Sequence, residues 1–240
     1  KKDLIKVLGT EEQRMLSIYA GVSPTFQKID YQKEDKIRIF KKYGITGDYI
    51  FCVGADDSRK NLDRLVRAFL SMPETILKKH QLVITCSISE TTIQRLRQYE
   101  GKYDGAERIV FTNYISDDDM ICLLNCAKLS VFPSAYEGFG LPVVEAWKCG
   151  VPVLTSNNPS LGEIAEDAAI TIDPFSDDSV RDGLIYALTD ADLTELVKKG
   201  SDMCKKYTWE NAAKLVIASY DRIMKLEKTD ISSSEYQRKV

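Results

Sequence analysis

The chain reads as an α/β protein built on a Rossmann-like, doubly wound parallel sheet of about six strands. Three observations predict this class. Short apolar runs recur from about residue 49 onward, amphipathic helical patterns alternate with them, and each run is nearly continuous in apolar character. A strand covered by helices on both faces has no polar side, so its sequence loses the period of two. Strand–helix–strand repetition then calls for parallel pairing through right-handed crossovers.

The strands are expected at residues 49–53, 82–85, 108–111, 129–132, 152–154 and 169–172. Between them, residues 61–70, 89–99, 117–126, 141–149 and 159–165 carry helical periodicity or helix-start signals. Asn61 is placed to cap the first of these helices. Ahead of the sheet, residues 17–19 read as a short strand, the stretch from Gly21 to Pro24 breaks the chain, and residues 32–43 read as a helix stopped by Gly44. After it, residues 176–188 and 190–206 read as helices, and Thr208 is a candidate N-cap for a last long helix over 209–226. Residues 228–240 are polar, with a run of three serines, and are expected to form a tail or linker.

Composition narrows the function classes. The chain has 240 residues, 44% hydrophobic and 29% charged, enough to bury a full core. A net charge of −3 without a basic stripe argues against nucleic acid as the partner. No apolar run approaches the ~20 residues of a membrane span, and no signal peptide is evident. Six cysteines occur without a Cys-x-x-Cys pair; Cys52 and Cys86 lie in strand-like runs and read as buried free thiols. That usage favours a reducing, cytoplasmic setting. With His80 as the single histidine, and Cys122 and Cys126 spaced as helical neighbours, a zinc site is not expected.

Ligands of a doubly wound sheet bind beyond the carboxyl ends of its strands. The loops to search are 54–60, 86–88, 112–116, 133–140 and 155–158. The most informative is the last part of 133–140, which runs as Glu137-Gly138-Phe139-Gly140-Leu141-Pro142-Val143-Val144-Glu145. A glycine turn enters a helix, offering backbone N–H groups and the positive end of a helix dipole. Pro142 fits there because its missing N–H is no loss in a first turn. Carboxylates stand at both ends: Glu137 before the glycines, Glu145 one turn into the helix. Amides for a diphosphate and carboxylates for hydroxyls together suit a nucleotide-sugar. Taken alone, the two acids read first as a loop end and an exposed helix face; the glycine turn around them and the resemblance given next reverse that reading. The second loop contains Arg59 and Lys60 just before a helix start, a diphosphate clamp or a solvated basic loop. In a parallel sheet the two loops share the carboxyl-end face, which would put the cations opposite the Gly138–Leu141 amides.

The segment from Phe132 to Ala146 closely resembles the Glu-x7-Glu signature of the retaining group 1 glycosyltransferases, which have the GT-B fold. Arg59-Lys60-Asn61-Leu62 is similar to that family's basic motif, and Gly150-Val151-Pro152-Val153 and Thr208-Trp209-Glu210 to other family stretches. The likeness covers about residues 17–225. It implies that Arg59 and Lys60 bind the donor diphosphate, and that Gly138, Phe139, Gly140 and Leu141 present amides to the sugar and phosphates. Glu137 would contact the transferred sugar, Glu145 the ribose, and Tyr114 and Ile115 the base. Arg59, Lys60 and Glu137 form the implied catalytic set. Many members carry an arginine after the glycine that ends the first strand, where this chain has Ala55. Either one phosphate contact is missing or Arg59 stands in for it.

The resemblance implies a transferase acting on a nucleotide-diphosphate sugar, GDP-linked before UDP-linked, in polysaccharide or glycoconjugate synthesis. It implies no required cofactor or metal; the nearest Asp-x-Asp candidate, the run Asp117-Asp118-Asp119, starts a helix and complements its dipole. The acceptor would be a saccharide or lipid-linked, held by an N-terminal domain of which residues 1–20 look like the end, or like the segment joining it to the next domain. Residues 21–227 would be the nucleotide-sugar domain. The parent could meet the inner face of the membrane. On its own this domain would bind donor without transferring sugar, which leaves a non-catalytic binding module as the alternative. A dinucleotide-dependent redox enzyme is excluded by the missing Gly-x-Gly-x-x-Gly after the first strand, and a P-loop kinase by the missing Gly-x4-Gly-Lys-Ser/Thr.

Overall fold

Six parallel strands form one sheet in the order β3-β2-β1-β4-β5-β6. They are β1 (Asp48–Val53), β2 (His80–Thr85), β3 (Ile109–Asn113), β4 (Leu129–Phe132), β5 (Val153–Ser156) and β6 (Ile170–Ile172). The computed structural model describes residues 2–12, 15–85, 87–101, 108–190 and 192–237. Cys86, expected as a strand thiol, lies outside the described residues, and so does the first position of loop 86–88. The helices are α1 (Lys2–Leu8), α2 (Lys33–Tyr43), α3 (Leu62–Leu70), α4 (Glu74–Leu77), α5 (Glu90–Glu100), α6 (Asp117–Cys126), α7 (Leu141–Lys148), α8 (Pro159–Ala165), α9 (Asp177–Thr189), α10 (Leu193–Met203) and α11 (Trp209–Gln237).

The chain divides into two units. The larger, residues 24–205, holds the whole sheet and α2 to α10. Its central strands are covered on both faces: Tyr49, Ile50, Phe51, Leu82, Val83 and Ile84 are fully buried. This accounts for their unalternating apolar sequence. Helix α3 turns Leu65, Val66 and Phe69 inward and packs against α5 and α9. Each such side chain contributes about 1.5–3 kcal/mol by leaving water. Helix α10 lies against α7, and Gly200 is what allows it. A Cβ there would stand 2.2 Å from Cδ1 of Trp147, a buried side chain whose Nε1 donates to the Ala168 carbonyl. The floor under α7 is thereby fixed.

The sheet starts at β1, builds outward through β2 and β3, and the chain then crosses back to lay β4 on the other side of β1. The strand order thus reverses between β1 and β4, the place where doubly wound sheets form their ligand crevice.

The second unit comprises residues 1–23 and 206–240. In it, Val22 N–H donates to the Tyr207 carbonyl, Tyr19 meets Tyr207 edge to face at 5.7 Å, and Thr208 Oγ1 accepts from Asn211 N–H at the start of α11. Thr208 is thus the cap expected for the last helix.

Three expectations need correction. Residues 17–19 form no strand. The helix expected over 190–206 starts only after Asp192, whose carboxylate accepts from Thr194 and Glu195 N–H, and ends in a 3-10 turn at Cys204–Lys206. Helix α11 continues to Gln237 through most of the segment expected as a polar tail.

Candidate active site

The loop after β1 folds as a short 3-10 turn, Ser58–Lys60, because Asp57 closes it from the front. The Asp57 carboxylate accepts the Arg59 backbone N–H at 2.9 Å, an Asx-type turn. Asn61 follows in a left-handed conformation, φ 60° and ψ 32°, and its side chain does not cap α3. That corrects the capping expectation. Its Nδ2 donates instead to the carbonyls of Pro133, after β4, and Pro174, after β6. Its Oδ1 accepts from Arg64, which also reaches the Pro174 carbonyl and Asp177. Asn61 is therefore the pin that draws three loops together at the carboxyl edge. Nothing local in the sequence marks it for that, since its partners lie 72 and 113 residues away.

The pin sets the two basic residues apart. Lys60 crosses the crevice: its Nζ lies 2.7 Å from Glu137 Oε1 and 4.8 Å from the centre of the Phe132 ring. The Arg59 carbonyl accepts the Ala135 N–H at 2.8 Å, so the β1 and β4 loops are also stitched through backbone. Arg59's guanidinium turns back onto Asp57, with Nη2 2.6 Å from Oδ2 and Nε within 3.0 Å of both oxygens. That ion pair holds Asp57 at a pKa of about 2 and raises Arg59. Asp57 was not among the residues singled out from the sequence; its position two before Arg59 was the available signal.

Behind Glu137 the chain turns at Gly138 and Gly140 into α7, with Pro142 in the first turn. Gly140 sits at φ +113°, and a Cβ there would lie 2.5 Å from Leu161 Cδ2 of α8. Helix α8 is in turn held to the site, because Asn158 caps it at Leu161 N–H and donates to the Ser134 carbonyl. Gly140→Ala is expected to lower stability by about 1–3 kcal/mol, from a strained φ plus overpacking against Leu161. Urea unfolding checks the number.

Glu145 lies one turn into α7, half-buried. Among the described residues no cation or hydrogen-bond donor meets its carboxylate. Desolvation alone pushes its pKa up to about 7. A carboxylate buried without donors is poised to accept hydroxyl groups. Tyr114 and Ile115 follow β3; Tyr114 is 80% exposed and Ile115 buried. In strand order β2 stands between β3 and the β1/β4 crevice. No hydrogen bond or ion pair joins these two to Lys60, Glu137 or Glu145 among the described residues. The structure thus brings Lys60 and Glu137 into contact, keeps Arg59 on the same turn, and sets Gly138–Leu141 and Glu145 along the same helix start.

These features define a Rossmann-like protein whose candidate ligand crevice lies where the strand order reverses. The chain belongs to the group 1 glycosyl transferases: that family's profile matches residues 35–207. It is related to O-antigen mannosyltransferases. It is 30% identical over 237 residues to the serotype-specific mannosyltransferase WbdA of Escherichia coli, a match covering 98% of this chain and 29% of WbdA. It is 27% identical over 224 residues to the O-antigen chain mannosyltransferase B of Escherichia coli, covering 92% of this chain and 58% of that one. The chain thus spans under two thirds of the length of these relatives. In fold it is similar to the crystal structure of a glycosyltransferase from Rickettsia africae ESF-5, with a TM-score of 0.81 at 16% identity, covering 92% of this chain and 61% of that one. It is likewise similar to Anabaena Alr3699/HepE in complex with UDP-glucose, with a TM-score of 0.70 at 16% identity, covering 87% and 57%.

Proposed function

We infer that the β1/β4 crevice binds a nucleotide-diphosphate sugar and supplies the donor half of a retaining glycosyl transfer. The observation that carries this reading is the Lys60–Glu137 contact across the strand-order reversal, at the mouth of a glycine turn that opens α7. A cation for the diphosphate, a carboxylate for the sugar and the glycine turn that opens α7 line one crevice.

In this reading Lys60, Arg59 and the amides of Gly138, Phe139, Gly140 and Leu141 take the diphosphate. As the bond from the anomeric carbon to the leaving phosphate breaks, negative charge grows on that phosphate and the sugar becomes oxocarbenium-like. Fixed positive groups stabilise this charge more than they stabilise the bound donor, which is what lowers a barrier. Glu137 receives sugar hydroxyls, and the leaving phosphate helps to deprotonate the acceptor. Tyr114 and Ile115 border the base. Mannosyltransferase relatives and the Arg-Lys-Asn sequence favour a GDP-sugar, with a UDP-sugar next. We assign the acceptor, a saccharide or lipid-linked sugar, to a further domain. The transfer is placed in the cytoplasm, including the inner face of the membrane. Among the described residues no helix is long and apolar enough to cross a membrane.

Calorimetric titration of this chain with GDP, UDP and dTDP tests the reading. One nucleotide is expected to bind preferentially; binding of none of them would refute it.

Glu145 gives the reading a pH signature. Its folded pKa of about 7 lies above the ordinary value of 4.5. Its ionisation therefore costs stability, a cost absent below about pH 4.5 and complete above about pH 7. Glu145→Gln is expected to stabilise the protein near pH 8, by at most about 3 kcal/mol and less where water screens the carboxylate. The change should vanish near pH 4. Ribose hydroxyls donating to Glu145 favour its ionised form, so nucleotide affinity should rise from about pH 6 to pH 8 in the native protein. In Glu145→Gln binding should be weaker and lose that rise. Denaturant melts and calorimetry at the two pH values measure both effects.

A further inference from the structure

We propose that Asp57 is a positioning residue that competes with the donor diphosphate for Arg59, and so sets how readily the nucleoside diphosphate product leaves. The inference rests on the donor-site reading above and adds a residue to it. Three observations carry it. Asp57 grips the Arg59 guanidinium with both oxygens, through Nε and Nη2. A planar guanidinium bound to one carboxylate in this way has its Nε edge engaged and its plane fixed, so another anion is offered only the remaining N–H groups, aimed where Asp57 holds them. The pair is also exposed, with Arg59 at 62% and Asp57 at 27%, so it is exchangeable rather than locked in a core. Finally, Arg59 sits on the same three-residue turn as Lys60, whose amine crosses to Glu137. Its charge also lies close enough to Glu137 and Tyr136 to feel both. Swinging Arg59 off Asp57 therefore directs a second cation toward the crevice that Lys60 already faces.

A diphosphate entering the crevice draws on an Arg59 that Asp57 holds by its Nε edge, and it also meets the negative charge of Asp57 itself. When the product departs, Asp57 takes Arg59 back. The carboxylate lowers the affinity for product, and a transferase that must release its nucleotide each cycle gains turnover from that. Asp57 has a second, structural task, because its oxygen closes the turn at Arg59 N–H. Asparagine and serine both accept a hydrogen bond there. Asp57→Asn and Asp57→Ser consequently remove the charge while keeping the turn.

The test titrates this chain with GDP, UDP and dTDP, and with the corresponding nucleosides, in native, Asp57→Asn, Asp57→Ser, Arg59→Gln and double-variant forms. Asp57→Asn and Asp57→Ser are expected to bind the preferred nucleoside diphosphate about two- to fivefold tighter, the scale of an exposed ion pair. They should leave nucleoside binding unchanged, and the gain should disappear when Arg59→Gln is added. In the full-length transferase the same substitutions should lower KM and kcat together. Unchanged or weaker diphosphate binding in both charge-neutral variants overturns the proposal, as does a gain that persists without Arg59. If the native chain binds none of the three nucleotides, the donor-site reading itself has failed, a different result from native binding that Asp57 does not influence.

Discussion

Lys60→Met is expected to weaken binding of the preferred nucleoside diphosphate by about 10- to 100-fold. Lys60 is the one basic side chain of its loop seen reaching across to the β4 loop, with Nζ 2.7 Å from Glu137 Oε1. Only a quarter of its side chain and a sixth of that of Glu137 are exposed, so the amine acts where water screens it less than at an open surface. A hydrogen bond to a charged group is worth about 1.5–3 kcal/mol, which sets the expected range. Methionine keeps an aliphatic stem of similar length while removing the amine that lies over the Phe132 ring, and so separates loss of charge from loss of the side chain's bulk. Calorimetry with the nucleoside diphosphate and with its parent nucleoside checks the assignment. The diphosphate should lose affinity and the nucleoside should not.

Glu137→Gln should produce the other large effect, and in a different quantity. In the proposed reading the carboxylate meets the sugar, so nucleoside diphosphate affinity should change little. Sugar transfer by the full-length protein should fall by about 100- to 1,000-fold, the usual loss when one group aimed at developing charge is removed. The direction of the binding change is also fixed. Glutamine no longer holds the Lys60 amine by charge, which frees the amine for phosphate, so any small shift in affinity should be a gain. Transfer rates with a radiolabelled donor, beside calorimetry on the same variant, separate the two. A Glu137→Gln protein that transfers sugar at the native rate would remove Glu137 from the catalytic set.

Much of the scaffold was legible because its physics is local. The strand runs show in sequence since a strand buried on both faces must be apolar throughout, as Tyr49 to Cys52 are. The glycine turn, Pro142 and the carboxyl-edge rule were enough to point at α7. The loop contacts were not legible, because they join distant positions. Lys60 and Glu137 lie 77 residues apart, and their meeting depends on β4 returning to pair with β1. Asn61 shows the limit most clearly: an asparagine before a helix reads as a cap, but carbonyls of two remote loops claim its side chain. The raised pKa of Glu145 was equally hidden, since a helical position one turn in says nothing about what covers it. Helix α4, a single turn between Pro73 and Lys78, was too short to show a period. The expected strand at residues 17–19 rested on the β-forming types Ile18 and Tyr19, but the segment adopts no strand.

The central claim is that the donor meets this chain along the Lys60–Glu137 crevice and the start of α7. The most direct measurement is an NMR titration of the isotope-labelled chain with a GDP-sugar and a UDP-sugar, following the backbone amides. With at least one donor, saturable shifts are expected at Gly138, Phe139, Gly140 and Leu141, accompanied by Arg59 and Lys60 and reduced in Lys60→Met. Saturable shifts confined to other loops, or none at Gly138–Leu141 with either donor, would contradict the account.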